Sequence, residues 1–234
     1  MLLEINNLSA GYGELHVLNE VSLDVATGEM VVLVGPNGAG KSTVLKSVFG
    51  LTNKTGGSII FSGQDITNSL THSLIEIGIG LVPQGRMVFP SLRVEENLRM
   101  GGCLLNHAET IEQNKVYVYG LFPALKEKKD EFAGNLSGGQ QQQLAVARAL
   151  MMKPEFLMLD EPSLGLSPKL MHEVFEILEK IRQEGTTILV VEQNVKLALQ
   201  YVDRGYLLAA GKIKFEGNAE QLASEDLMRD AYLT

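Results

Sequence analysis

Polarity along the chain changes character several times, and each change marks a different kind of element. The first 25 residues alternate apolar and polar positions, with Leu3, Ile5 and Leu8, then Val21, Leu23 and Val25, on one face and Gly11-Tyr12-Gly13 read as the turn between them. Such alternation predicts half-buried antiparallel strands. At Met30 the alternation stops. Met30-Val31-Val32-Leu33-Val34 is continuously apolar, the pattern of a strand buried on both faces, and it runs straight into a glycine-rich loop. Ser42 to Phe49 then reads as a helix stopped at Gly50. Strand character resumes at Ser58–Phe61 and Gly78–Val82.

Residues 86–153 lose it again. Met, Leu, Glu, Gln and Ala dominate there, with turns near Phe89-Pro90, Gly101-Gly102 and Phe122-Pro123, which predicts a helical insertion between two strands of one α/β core. Phe156-Leu157-Met158-Leu159 returns to the buried-strand type. Pro168–Glu184 predicts an amphipathic helix with Leu170, Val174, Ile177, Leu178 and Ile181 on its apolar face and Gly185 after its end. A strand at Thr186–Val191, a short helix at Asn194–Val202, a strand at Gly205–Ala209 and a hairpin turn near Gly211-Lys212 follow, with short helices after Gly217. No internal repeat is visible, and Gln140–Gln143 is the one low-complexity run.

At 234 residues with 45% hydrophobic content, the chain can bury one sizeable core. The longest β-branched apolar run, Thr186–Val191, is far too short to span a bilayer, and no charged start leads into a secretory h-region. Cys103 is the single cysteine, which excludes an internal disulfide framework and fits a reducing compartment. A net charge of −8 argues against nucleic acid as the main partner. The expectation is a soluble cytoplasmic protein.

Two segments are built for phosphate. Gly35-Pro36-Asn37-Gly38-Ala39-Gly40-Lys41-Ser42 fits G-x-x-x-x-G-K-[ST] in full, between a predicted strand and a predicted helix. There the glycines let backbone N–H groups close around phosphates, Lys41 adds a point charge and the Ser42 hydroxyl is a ligand for Mg²⁺. Leu136-Ser137-Gly138-Gly139-Gln140 opens a predicted long helix, whose start attracts anions, but it lacks a lysine and a metal-binding hydroxyl. It reads as half of a site. Further on, Asp160 and Glu161 end a core strand, where ligands bind open α/β sheets. Asp160 is placed to hold a metal through water, and Glu161 to orient or deprotonate an attacking water.

Taken together, LSGGQ, the phosphate loop and the Asp160-Glu161 strand end resemble an ABC-type ATPase over essentially the whole chain. The resemblance implies an α/β P-loop NTPase core with an N-terminal antiparallel β subdomain and a helical insertion. It implies one domain over 1–234, with 1–85 and 154–234 as nucleotide-binding core and 86–153 as the helical subdomain carrying LSGGQ. The implied ligands are ATP and Mg²⁺. Gly35 to Ser42 and the adjoining Thr43 would hold the phosphates, Tyr12 would stack on adenine, and Gln84 would reach Mg²⁺ and the attacking water. In this family each chain's signature helix caps the nucleotide of a second chain, so Ser137, Gly138, Gly139 and Gln140 would serve a partner's ATP. Motion would pass to separate transmembrane permease subunits, placing the chain on the cytoplasmic face of the membrane, with a solute-binding protein involved indirectly.

Two departures stand out. Where most members carry a histidine after the strand Thr186–Val191, this chain has Glu192-Gln193-Asn194, and His16, His72, His107 and His172 all lie elsewhere as expected surface residues. Gln193 can donate to a phosphate oxygen but never becomes cationic, so a modest uncoupled ATPase rate is expected. In Ser163-Leu164-Gly165-Leu166, Leu166 stands where the family commonly has Asp. Val191-Glu192-Gln193-Asn194, Val82-Pro83-Gln84-Gly85-Arg86 and Glu95-Glu96-Asn97-Leu98 together look like the LivF-type subunit of branched-chain or neutral amino-acid importers. A urea-importer subunit shares much of this wording, and the second ATPase chain is either identical or a LivG-like paralogue. Arg86-Met87-Val88-Phe89 leaves two readings open: a groove for a short helix of the membrane subunit, or packing of the insertion on the core. Against a DNA-repair or translational ABC ATPase stand the lack of a long coiled-coil insertion and of a second cassette. Against a nucleotide-gated module that barely turns over stands Glu161, although Gln193 keeps that reading open.

Overall fold

The computed structural model describes residues 1–223. Strands β1 (Leu3–Tyr12) and β2 (Leu15–Val25) form an antiparallel hairpin; β3 (Met30–Val34) leads through the glycine-rich loop into α1 (Lys41–Val48). Next come β4 (Asn53–Phe61), β5 (Gln64–Asp65), α2 (Thr71–Glu76) and β6 (Ile79–Val82). Helices α3 (Val94–Gly101), α4 (Ala108–Leu121), α5 (Pro123–Glu127) and α6 (Gly138–Leu150) precede β7 (Phe156–Asp160). The chain then runs through α7 (Pro168–Gln183), β8 (Thr187–Glu192), α8 (Val195–Ala198), β9 (Arg204–Ala209), β10 (Lys212–Asn218) and α9 (Ala219–Leu222).

Two sheets result. One is four-stranded and antiparallel, in the order β2-β1-β4-β5; the other is six-stranded, in the order β10-β9-β3-β8-β7-β6, parallel throughout except for β10. The continuous apolar pattern of β3 has its cause here. Val31 and Leu33 face the core shared with the antiparallel sheet and α1, while Met30, Val32 and Val34 face the core shared with α6 and α7. Strands β7 and β8 divide in the same way, Met158 and Leu189 to the first core, Leu157 and Val190 to the second. The helices α3–α6 lie in sequence between β6 and β7, which are adjacent and parallel.

Several sequence expectations shift. Gly11 and Tyr12 belong to β1, and the turn lies at Gly13-Glu14. Gly11 is there for close approach: a Cβ on it would overlap the Leu15 carbonyl. The strand expected at Ser58 starts at Asn53, because pairing with β1 continues through Gly56, opposite Ser9, and across irregularities at Gly57 and Thr55. The helix expected over Asn194–Val202 is helical only at Val195–Ala198. Of the helices expected after Gly217, α9 is present and capped by Asn218, and the rest lies outside the described residues. All four histidines are exposed. Among the described residues no helix is long and apolar enough to cross a membrane.

One ion network ties the sheets together. Arg204 of β9 donates to Asp24 of β2 and to Glu29 before β3, both at 2.7 Å, and to Glu216 of β10 at 2.9 Å. Replacing it leaves three carboxylates facing one another. Arg204→Met is expected to cost about 2–3 kcal/mol, read as a lowered denaturation midpoint in urea.

Candidate functional site

Parallel strands deliver their C-terminal ends to one edge of the sheet, and the polar side chains collect there. The loop after β3 turns back through Gly40, whose φ of 106° caps α1 in a left-handed conformation that a side chain would resist. Lys41 is thereby folded over the loop: its Nζ donates to the Gly35 carbonyl at 2.9 Å and the Pro36 carbonyl at 3.1 Å, and lies 3.9 Å from Glu161 Oε1. Burial holds the Lys41 amine below its usual proton affinity, opposed by Glu161, Asp160 and Glu192. Ser42 Oγ donates to Asp160 Oδ1 at 2.9 Å. Burial raises the Asp160 pKa, and the Ser42 hydrogen bond opposes this.

Glu161 follows β7 with φ 48°, a left-handed conformation uncommon for a non-glycine residue and concentrated at functional sites. Its amide donates to Val191 O at 2.9 Å and its Oε2 accepts from Gln84 Nε2 at 2.7 Å. Tyr12, Asn37, Gly38, Gly40, Lys41, Ser42, Thr43, Gln84, Glu161, Leu164 and Gln193 line one cleft of about 560 Å³. Its wall also includes Leu15 and Val17 of the β hairpin, beside the half-exposed Tyr12 ring. Gly35, Pro36 and Ala39 complete the loop behind it, and Asp160 stands at its base through Ser42.

The signature residues are not part of this wall. Ser137 Oγ accepts from Gln140 N at 3.3 Å and Gln140 Oε1 accepts from Ser137 N at 3.1 Å, a reciprocal cap that closes the start of α6 on itself. Leu166 is buried among apolar neighbours rather than presented outward.

One residue escaped the sequence reading. Glu192 ends the wholly buried strand β8 and is 1% exposed. It accepts from Ser163 N at 3.0 Å, Gln193 N at 3.1 Å and Asn194 N at 3.4 Å, so one carboxylate joins the loop after Glu161 to the loop that carries Gln193. The signal was available: like Asp160, it is a carboxylate closing an apolar run.

The sequence model described as ABC transporter matches residues 18–164. The high-affinity branched-chain amino acid transport ATP-binding protein BraG of Pseudomonas aeruginosa is 43% identical, with 99% of each chain covered. The chain belongs to the ABC transporter family. The probable branched-chain amino acid transport ATP-binding protein LivF of Archaeoglobus fulgidus is 41% identical over 96% of this chain and 95% of its own. Among solved structures, an ABC transporter cassette in its ADP conformation superposes with a TM-score of 0.91 at 28% identity, covering 99% of this chain and 98% of that one. A dimeric bacterial ABC transporter cassette gives 0.82 at 26% identity, covering 93% and 98%. The fold is that of the ABC ATPases, and the chain is an ATP hydrolase of this family.

Removing Glu192 leaves the buried Ser163 amide without its acceptor and releases the amides of Gln193 and Asn194. Glu192→Ala is expected to cost about 2–3 kcal/mol, or roughly 4–12 °C in melting temperature for an ABC cassette of this size. ATP turnover should fall with it as Gln193 loses its support; an unchanged melting curve would contradict the bracing role.

Proposed function

We propose that this ABC ATPase hydrolyses Mg²⁺–ATP in the cleft between Tyr12 and Gln193, in a head-to-tail pair with a second ATPase chain. The strokes would drive import of branched-chain or neutral amino acids through separate permease subunits at the cytoplasmic face of the membrane. The observation that carries the chemistry is the contact of Gln84 with Glu161, beside a lysine and a Ser–Asp pair. The substrate class rests on the similarity to BraG and LivF along nearly their full lengths.

Tyr12 offers its ring to the adenine. The loop amides and Lys41 take the β- and γ-phosphates, with Lys41 Nζ turning from the Gly35 and Pro36 carbonyls to phosphate oxygens. Mg²⁺ prefers hard oxygen donors, and Ser42 Oγ and Asp160 Oδ1 are such a pair, with Gln84 Oε1 a third. When bound, the ion neutralises charge on the β- and γ-phosphates. Glu161, oriented by Gln84, takes a proton from the attacking water as its oxygen bonds to the γ-phosphorus; the bond to the bridging oxygen breaks and ADP leaves. Gln193 donates to a γ-phosphate oxygen as a neutral group. The signature segment Ser137–Gln140, which does not line its own chain's cleft, reaches the nucleotide of the second chain, as a two-fold pair requires.

Coupling to the membrane needs a docking surface. A groove of about 390 Å³ runs between the core and the helices α3 and α6, lined by Phe49, Ile79, Leu81 and Pro83 on one side and Phe89, Met100, Leu104 and Ala149 on the other. It suits one apolar face of a short helix. Of the loop Arg86–Phe89, only Phe89 lines it, which supports the docking reading for that residue, while Val88 packs toward the core, as the packing reading has it.

Glu161→Gln is expected to lower kcat about 100- to 1,000-fold while ATP binding stays within about threefold. Equal phosphate release by both proteins would remove Glu161 as the base. Gln193→Ala should lower kcat about tenfold, roughly 1.4 kcal/mol; rapid turnover by the isolated protein, unchanged in this variant, would end the assignment. For docking, Cys103 is exposed and lines the groove, so the native thiol should cross-link to a permease subunit in the intact transporter. Failure at Cys103, and again with a cysteine at Phe89, would count against this groove.

A further inference from the structure

The segment Arg86–Phe89 is fastened to the rest of the chain at every residue. Arg86 has a left-handed backbone, φ 53°, and its guanidinium threads between two glycines. Its Nη2 donates to the Gly165 carbonyl at 2.8 Å, and a Cβ on Gly138 would overlap its Nη1. Arg86 therefore touches both the first residue of α6 and the loop that follows Glu161. Met87 is gripped by Arg148, in the last turn of α6, whose Nη2 donates to its carbonyl. The same guanidinium lies 5.0 Å from the centre of the Phe89 ring, and its Nη1 is buried with no hydrogen-bond partner among the described residues. Val88 packs into the core. The Phe89 backbone is held twice by the buried Asn97 of α3, whose Oδ1 accepts from Phe89 N at 2.8 Å while its Nδ2 donates to Phe89 O at 3.0 Å.

Helix α6 is 13 residues long, about 20 Å at 1.5 Å per residue. Its first turn carries Gly138 and Gly139, and its last turn carries Arg148. The two arginines thus tie one short segment to both ends of one helix. We infer that Arg86 and Arg148 are positioning residues which make the Arg86–Phe89 segment and α6 a single moving body. A displacement at the α6 start, where a second chain's nucleotide binds, then arrives at the groove edge without loss in flexible loop. Conversely, a helix seated beside Phe89 sets the angle of Gly138 and Gly139. The inference rests on the reading that α6 meets a partner's ATP; guanidinium suits the role because its planar fork fixes direction as well as distance.

Amide hydrogen exchange of the full-length Glu161→Gln protein, with and without Mg²⁺–ATP, tests this, with size-exclusion chromatography reporting the pair. The expected result is ATP-dependent slowing, fivefold or more, at residues 137–141 and together with it at 86–89. In Arg86→Ala and in Arg148→Met, 137–141 should stay slowed while 86–89 return to their free rates. Protection confined to 137–141 before any arginine is changed overturns the inference, and this reading needs no variant at either arginine to fold. Equal protection of 86–89 with and without the arginines overturns it as well. Absence of any ATP-dependent pair defeats the composite site itself, and a pair without coupled exchange defeats only the clasp. The Cys103 cross-link is independent of both results.

Discussion

Val31 and Leu33 press into one apolar core while Met30, Val32 and Val34 press into another, so β3 has no solvent face at all. Burial on both sides forces the parallel sheet to satisfy its polar needs at strand ends, where backbone and side chains meet water and ligand. Asp160, Glu161, Glu192 and the phosphate loop all sit at that edge. Lys41, Asp160, Glu161 and Glu192 are themselves buried at that edge. Burial raises the proton affinity of Asp160 and Glu192 and lowers that of Lys41, and each group is compensated by a named partner. Electrostatic interactions of this kind strengthen when water is excluded.

The site is therefore a property of strand ends braced against one another. Glu161 is pinned by its amide to Val191 of the neighbouring strand and by its carboxylate to Gln84. Glu192 pins the two following loops. The loop after Glu161 is in turn reached by Arg86 from the edge of the helical insertion. Chemistry in the cleft and the position of the insertion are thus connected through a few short hydrogen bonds, rather than through one long flexible loop.

Much of this was legible in the chain itself. Continuous apolar runs named β3, β7 and β8, since only a doubly buried strand needs no polar face. The phosphate loop declared itself because glycine spacing, a lysine and a hydroxyl are all required at once. Boundaries were less legible where local chemistry points the wrong way. Gly11 reads as a turn residue, yet the close approach of the Leu15 carbonyl is what demands it. Gly56 and Gly57 hid the first half of β4, because Gly56 itself pairs with Ser9 of β1 and the ladder resumes past an irregularity at Gly57. Glu192 was read only as a neighbour of Gln193, since the partner that gives it its bracing role, the Ser163 amide, lies 29 positions away in a segment that sequence spacing does not relate.

Sequence alone determined most of the elements, the phosphate loop, the signature segment Ser137–Gln140 and the family, because these depend on local conformational demands and on residue types that must occur together. It also showed that Gln193 brings no cation. Tertiary structure decided which of these meet. Lys41, Gln84, Glu161 and Gln193 share a cleft, while the signature residues do not line it, because α6 starts in the helical insertion rather than at a strand end. Packing decided too that Val88 turns inward, that Phe89 lines a groove, and that Arg86 fits between Gly138 and Gly165. Such contacts join residues far apart along the chain, 79 positions for Arg86 to Gly165 and 118 for Ser42 to Asp160, and only the folded chain brings them within hydrogen-bond reach.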